Sequence, residues 1–467
     1  MKYSSTVAAI STAMSNSGIG IVRMTGEDAF EIADRVYKGK RSKKLCEQKS
    51  HTIHYGYISD GEEIIDEVLV MLMRGPHSYT GEDTVEINCH GGVYVVRRIL
   101  ETLIKFGARP AEPGEFTKRA FLNGRLDLSQ AEAVGDLIVS QNEYALKSSI
   151  SQLKGNIKNK ISDIRKKIIY HTAFIETALD DPEHISVDGY GDELHEVVDV
   201  LIDDIRKLLS TCNDGRIIKE GIQTVIVGRP NAGKSSLLNV LIGEERAIVT
   251  DIAGTTRDVL EEHINLQGIS LNIMDTAGIR DTEDIVEKIG VNKAKNYAEN
   301  ADLIIYVIDS SSALDENDFE ILKMICDKQS IILLNKSDLD MIVSAEEVKK
   351  VYYEVNDIHE FNIPVIEISA KQRKGIEELE ETLKNMFFEG NLAFNDEIYI
   401  TNVRHKTALQ DSLQSLIKVN ESIEMGMPED FYSIDLLDAY ESLGSITGET
   451  IGEDLVNEIF SKFCMGK

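Results

Sequence analysis

The sequence predicts a multidomain protein: an N-terminal α+β module, an all-α helical domain split in sequence, and an α/β P-loop nucleotide-binding domain inserted into it. Three observations carry this. A phosphate-loop signature, Gly228 to Ser236, directly follows the apolar run Ile222 to Val227. Apolar residues recur at helical spacing on both sides of that region. Short apolar runs broken by turns fill the first quarter of the chain. At 467 residues the chain is too long for one core, so several domains are expected.

In chain order, the runs Gly18 to Val22, Ile64 to Met71 and Thr84 to Asn88 read as strands. Asp28 to Tyr37 and Val93 to Phe106 read as helices, which makes residues 1–118 a mixed module. In 119–217 the pattern turns helical, with Ala131, Val134, Leu137 and Ile138, then Ile157, Ile161, Ile164 and Ile168. Residues 218–388 alternate strand and helix, as a doubly wound domain does. Helical spacing returns in 389–467, which completes the split domain.

Composition narrows the function. With 50 Lys and Arg against 80 Asp and Glu, the net charge is −30, so no global basic field grips nucleic acid. Any RNA contact must be local or made through a partner. Five scattered cysteines (Cys46, Cys89, Cys212, Cys326, Cys464), with no Cys-x-x-Cys pair, fit reduced thiols and a cytoplasmic location. No signal peptide and no membrane span is expected.

The phosphate loop has a chemical logic. Glycines let the backbone curl so that its N–H groups face a phosphate, Lys234 reaches the β- and γ-phosphates, and the Ser235 hydroxyl suits Mg²⁺. Asn231, Ala232, Gly233 and Ser236 complete the loop. Four further segments follow in order. Thr250, Asp251, Ile252, Ala253, Gly254, Thr255 and Thr256 offer a hydroxyl to Mg²⁺ and an N–H to the γ-phosphate. Asp275, Thr276, Ala277 and Gly278 end a strand in Asp-x-x-Gly. Asn335, Lys336 and Asp338 end another, and the Asp338 carboxylate suits the paired N–H donors of guanine. Ser369, Ala370 and Lys371 support the base oxygen. Together they resemble the translation-factor-like P-loop GTPases, with GTP and Mg²⁺ as ligands.

Ile279 stands where Ras-like GTPases carry a water-orienting Gln. An apolar side chain cannot orient water, and no arginine finger is evident. The Asn231 side-chain oxygen and backbone carbonyls of the Thr250–Thr255 loop offer neutral ligands for a monovalent cation, K⁺, in the finger's place. Glu287 is the candidate for positioning water indirectly.

Over nearly its whole length the chain resembles the MnmE (TrmE) family of tRNA-modification GTPases. Besides the nucleotide motifs, the likeness rests on Ser78-Tyr-Thr-Gly-Glu-Asp83 with His90-Gly-Gly92. It extends to Pro113-Gly-Glu-Phe-Thr117, Arg119-Ala-Phe-Leu-Asn123 and the terminal Ile459-Phe-Ser-Lys-Phe-Cys464-Met-Gly-Lys467. The resemblance implies an N-terminal domain that binds a tetrahydrofolate derivative (5-formyl or 5,10-methylene) and forms a homodimer. It implies work with MnmG, an FAD- and NADH-using partner, on the wobble uridine of tRNA. It assigns folate contacts to Arg23, Glu86, Arg125 and Lys467, the K⁺ ligands to Asn231, Thr250, Ile252 and Thr255, and chemistry to Cys464. The nucleotide domain alone fits equally a regulatory GTPase in ribosome or ribonucleoprotein assembly.

Overall fold

The computed structural model describes residues 5–39, 44–181, 183–185, 189–244, 262–266, 268–274, 301–358, 360–388, 398–450, 452–463 and 466. The chain forms two compact units. Met1–Val139, Ser149–Leu209 and Arg404–Lys467 make the first, and Ser140–Ser148 with Ser210–Val403 the second.

The first unit contains a seven-stranded sheet built from β1 (Val7–Ile10), β2 (Ser17–Thr25), β3 (Tyr37–Gly39), β4 (Thr52–Asp60), β5 (Glu63–Met73), β6 (Thr84–Gly91) and β7 (Arg109–Pro110). Their spatial order is β3-β4-β5-β6-β2-β1-β7, all antiparallel except the β1–β7 pair. Period-two alternation sends Val22 and Met24, Val68, Val70 and Leu72, and Val85 and Ile87 to one face. The helices Ala29–Val36 and Val93–Lys105 cover that face with Phe30, Ile32, Val36, Val96, Ile99 and Leu103. The same alternation puts Arg23 and Glu86, paired in register, on the other face.

The rest of this unit is helical. Helix Asn156–Asp180 buries Ile157, Ile161, Ile164 and Ile168, the positions that the periodicity predicts, and packs along helix Glu429–Thr447. Two polar ties cross the split in sequence. Arg165 stacks on Tyr440, 3.9 Å from its ring centre, and pairs with Glu449. Arg404 Nη2 and His405 Nε2 both meet Glu132 Oε2, at 2.8 and 2.9 Å, and Arg404 also donates to the carbonyls of Ser445 and Ile446. His405 is fully buried.

The second unit is a doubly wound domain. Its strands are β8 (Ile222–Val227), β9 (Glu262–Leu266), β10 (Ile269–Ile273), β11 (Leu303–Asp309), β12 (Ser330–Asn335) and β13 (Val365–Glu367). The order is β13-β12-β11-β8-β10-β9, parallel except for β9. Leu303 to Ile308 are all buried, as a parallel strand covered on both faces requires. β8 lies where the order of connection reverses, between β10 and β11, so the phosphate loop opens at the switch point where such sheets bind ligands.

Burial alone would raise the Glu132 carboxyl, but the hydrogen bonds and charges of His405 and Arg404 bring it from an ordinary 4.5 down to about 2. A depressed carboxylate stabilises the fold above its unfolded pKa, and that stability disappears as pH falls through the folded one. We therefore expect wild-type stability to drop between pH 4.5 and about 2. Glu132→Gln should cost about 3–5 kcal/mol at neutral pH, because the half-buried Arg404, packed beside the fully buried His405, loses its counter-charge. Thermal melts of both proteins across that pH range test this, and parallel melting curves would refute it.

Candidate functional site

Gly228 turns the chain out of β8 with φ +149°, in a space where a Cβ would meet the Val307 carbonyl oxygen at 2.3 Å. Two residues on from Arg229, Asn231 is left-handed at φ +63°, a conformation its short polar side chain tolerates. Lys234 begins the helix Lys234–Glu244, with Ser235 and Ser236 in its first turn, where the helix N-terminus favours anions. The Lys234 ammonium donates to the carbonyls of Gly228 at 2.7 Å and Arg229 at 2.8 Å, and burial lowers its pKa.

Three separated motifs converge on Asn335, at the end of β12. Its Nδ2 donates to the Ala232 carbonyl at 2.8 Å, and its Oδ1 accepts the Ala370 N–H at 3.1 Å. Gly233 must be glycine here, because a Cβ would lie 2.1 Å from that Nδ2. The Ser369 hydroxyl donates to Asp338 Oδ1 at 2.7 Å and, with Lys371 and Lys336 nearby, keeps the carboxylate below its usual range. Lys336, at φ +65°, pairs with Asp309 at 2.6 Å. The predicted loop and base-recognition residues therefore meet at one corner. Thr250, Asp251, Ile252, Ala253, Gly254, Thr255, Thr256, Asp275, Thr276, Ala277, Gly278 and Glu287 lie outside the described residues.

Sequence reasoning missed Arg229. Its guanidinium reaches Asp318 at 3.2 Å, Asp315 and the Ala313 carbonyl at 3.1 Å, and Ser312 at 2.9 Å. Asp318 is fully buried and also accepts the Tyr306 hydroxyl at 2.6 Å. This network fixes the front of the phosphate loop. No local pattern announces it, since its partners lie more than 80 residues downstream.

In the first unit, Arg23, Glu86 and Arg125 are also brought together. Arg23 Nε bonds Glu86 Oε1 at 2.7 Å. The Arg23 and Arg125 guanidinia lie 5.4 and 4.9 Å from the Tyr79 ring centre, and Arg23 is 5.6 Å from that of Phe116. Arg125 and Tyr79, with Met73, Pro76, His77 and Ser78, line an open cleft of about 540 Å³. The nearby motif residues are structural. Arg119 is fully buried and bonds Glu82 at 2.9 Å, Glu115 at 2.8 Å and the Ser5 carbonyl at 2.9 Å. Burial alone would raise Glu115, but the Glu112 N–H, Arg119 and Arg109 hold it below its ordinary value.

The C-terminal motif folds onto this module. Ser11 donates to the Gly466 carbonyl at 3.0 Å, and Gly466 takes φ +88° where a Cβ would meet the Ile10 oxygen at 2.3 Å. Phe460 lies against Gly114, whose own Cβ would be 2.6 Å from the Phe460 oxygen. Cys464 and Lys467 lie outside the described residues.

The family model described as "MnmE helical domain" matches residues 128–464, and "GTP-binding protein TrmE N-terminus" matches residues 6–125. The chain belongs to the MnmE family. Relatives named "tRNA modification GTPase MnmE" share its whole length. The protein of Lachnoclostridium phytofermentans is 58% identical over 99% of both chains. That of Clostridioides difficile is 49% identical over 99% of both, and that of Alkaliphilus oremlandii 46% over 100% of both. As in a multidomain MnmE, the N-terminal module, the helical domain and the mixed α/β domain are all present. No described helix is long and apolar enough to cross a membrane.

The corner built on Asn335 has a direct test. Asp338→Asn exchanges an acceptor carboxylate for an amide, which pairs with the C2 oxygen of xanthine instead of the guanine N2–H. The variant should lose GTP affinity by about 100-fold or more, the scale of an unmatched charge-assisted pair, and gain affinity for XTP. Fluorescent-nucleotide titrations measure both, and unchanged GTP binding would remove Asp338 from base recognition.

Proposed function

We propose that this chain hydrolyses GTP to drive, with MnmG, the addition of an aminomethyl or carboxymethylaminomethyl group to C5 of the wobble uridine of certain tRNAs. It acts in the cytoplasm as a homodimer. The observation that supports this best is the pairing, in one chain, of a guanine-type corner with an arginine-flanked cleft. The Asp338–Ser369 pair beside the phosphate loop makes the first, and the C-terminal tail folds onto the module that carries the second.

The residues present suit the groups this reading requires. Ser235, in the first turn of its helix, and Thr256 would hold Mg²⁺, a cation that prefers hard oxygen donors. Bound there, it neutralises charge on the β- and γ-phosphates. Asn231 offers an amide oxygen at a left-handed apex, and with Thr250, Ile252 and Thr255 it would hold K⁺. That ion supplies positive charge in place of an arginine finger. Lys234 holds the phosphates, and Glu287 positions the attacking water indirectly.

The cleft suits an anionic, nitrogen-rich ligand such as a tetrahydrofolate derivative. The Arg125 guanidinium has no hydrogen-bond partner among the described residues, and the Arg23 guanidinium spends only its Nε on Glu86. Their remaining N–H groups suit carboxylates of a glutamate tail, while Glu86 accepts N–H groups of a pterin. Lys467 would add a charge from the tail. The folate supplies a one-carbon unit. Cys464 acts in the modification and not in GTP turnover.

Two measurements test the reading. GTP turnover should be faster in K⁺ than in equimolar Na⁺, and Glu287→Ala should lower kcat about 100-fold with nucleotide affinity unchanged. Equal rates in both salts would remove K⁺ from the mechanism, and intact turnover in the variant would remove Glu287. Separately, wobble uridine from a deletion strain should lack the modification, and Cys464→Ser should fail to restore it while retaining GTPase activity. Fully modified uridine in the deletion strain would overturn the function.

A further inference from the structure

A net charge of −30 leaves open where RNA touches this chain. Residues 154–167 are an exception to that balance. They hold six basic residues, Lys154, Lys158, Lys160, Arg165, Lys166 and Lys167, against the single acid Asp163. Arg165 is buried against Tyr440, but the lysines reach solvent. Four of the five lie on helix Asn156–Asp180, whose opposite face carries the buried Ile157, Ile161, Ile164 and Ile168. Asn159, Lys166 and Tyr170 recur at spacings of seven and four, so they line one outward row, with Lys167 beside it.

The existing partners of these lysines are easily exchanged. Lys166 pairs with Asp163 at 3.3 Å, Lys158 with Asp127 at 3.7 Å and Lys160 with Asp204 at 3.0 Å, all with exposed or half-exposed ammonium groups. Such pairs contribute about 0–1 kcal/mol. Lys154 and Lys167 have no acidic partner among the described residues. The Lys160–Asp204 pair also draws up helix Tyr190–Ser210, on which Arg206 is exposed.

Tyr170 supplies the second element. It is 67% exposed, although a tyrosine normally buries its ring. Its ring stands edge-on to His171 at 5.1 Å, and His171 is itself held by the Tyr190 hydroxyl at 2.6 Å. An aromatic ring held outward on a basic face is the arrangement that stacks an unpaired base while lysines hold its phosphates.

We propose that the face carrying Lys154, Lys158, Lys166, Lys167 and Tyr170 is an RNA-docking surface for the tRNA substrate. The proposal rests on the tRNA reading above. The occupant is a phosphate backbone with at least one unstacked base, because lysines alone would accept any polyanion whereas Tyr170 adds a π-face.

The test uses the full chain with an unmodified tRNA transcript, titrated at 50 and 200 mM KCl. Lys154→Glu/Lys166→Glu/Lys167→Glu should weaken binding at least ~10-fold and reduce the slope of log affinity against log salt by about 2–3, one step per lost phosphate contact. Tyr170→Ala should weaken it about tenfold and Tyr170→Phe little, since the ring does the stacking. Melting temperature and GTP turnover without tRNA should match wild type in all variants, because none of these residues touches the nucleotide corner. Unchanged tRNA affinity and salt slope in the triple variant would overturn the proposal. So would loss of binding to phosphatidylglycerol vesicles with tRNA binding intact, which would mark a membrane-facing surface instead. Failure of the wider reading looks different: wobble uridine would then stay modified in the deletion strain whatever the lysines bind.

Discussion

Inserting one domain into another imposes a closure problem, and the fold depends on its solution. Glu132 and Arg404 are 272 positions apart, yet they must meet to complete the helical domain. Closing a flexible loop of that length would cost about 5 kcal/mol in chain entropy beyond the constant term. The insertion removes most of this by bringing its own ends together. The Ile400 N–H donates to Thr211 Oγ1 at 3.2 Å, and Gly215 lies so close to the Ile400 carbonyl that a Cβ there would be 2.3 Å from its oxygen. Once the second unit folds, its two strands of connection leave side by side. The helical halves then face a short effective loop, and the Glu132–Arg404–His405 cluster locks a closure that is already nearly made.

Asn335 plays the same role on a smaller scale. One buried amide spends its donor on the Ala232 carbonyl of the phosphate loop and its acceptor on the Ala370 N–H. The proposed phosphate and base ends of the site thus share one rigid reference. Gly233 is forced by that closeness, and Gly228 by the Val307 carbonyl, since each leaves no space for a Cβ. Arg229 adds a third restraint from the side of β11 through Asp318. A loop held at three points keeps its N–H groups aimed before any ligand arrives, so little ordering cost is left for binding.

What was legible in the sequence follows the range of the interactions. Ile157 to Ile168 announced their helix because burial repeats every three to four residues. Gly228, Gly233, Lys234 and Asp338 announced a nucleotide corner because their chemistry needs fixed spacing. Arg23 and Glu86 were named through family likeness, and the β2–β6 register makes physical sense of them as a cross-strand pair. Arg229 with Asp318, Glu132 with Arg404, and Ser11 with Gly466 left no local trace. Their partners are far apart in sequence, and a lone charge or glycine reads the same whether it is solvated or buried. Helical periodicity also runs unbroken through 143–153. It therefore gives no sign that 140–148 groups with the nucleotide unit, where Asn142 donates to the Ile218 carbonyl at 3.2 Å and to Ser270 Oγ at 2.9 Å.

The acidic bulk of the chain and a local basic face are compatible once screening is considered. At physiological ionic strength, charges separated by more than about 8 Å are largely hidden from each other. An RNA approaching at random meets a net-negative particle and gains nothing from it. An RNA already seated on the exposed side of helix Asn156–Asp180 feels chiefly the ammonium groups there, because helix Glu429–Thr447 of the acid-only segment 421–460 packs along that helix and Glu449 of the same segment is paired with Arg165. Net repulsion at long range with attraction at short range disfavours the bulk of cellular nucleic acid. It leaves binding to a substrate whose shape brings backbone and an exposed base together at one place. On this reading the charge of −30 is part of how the chain selects its substrate.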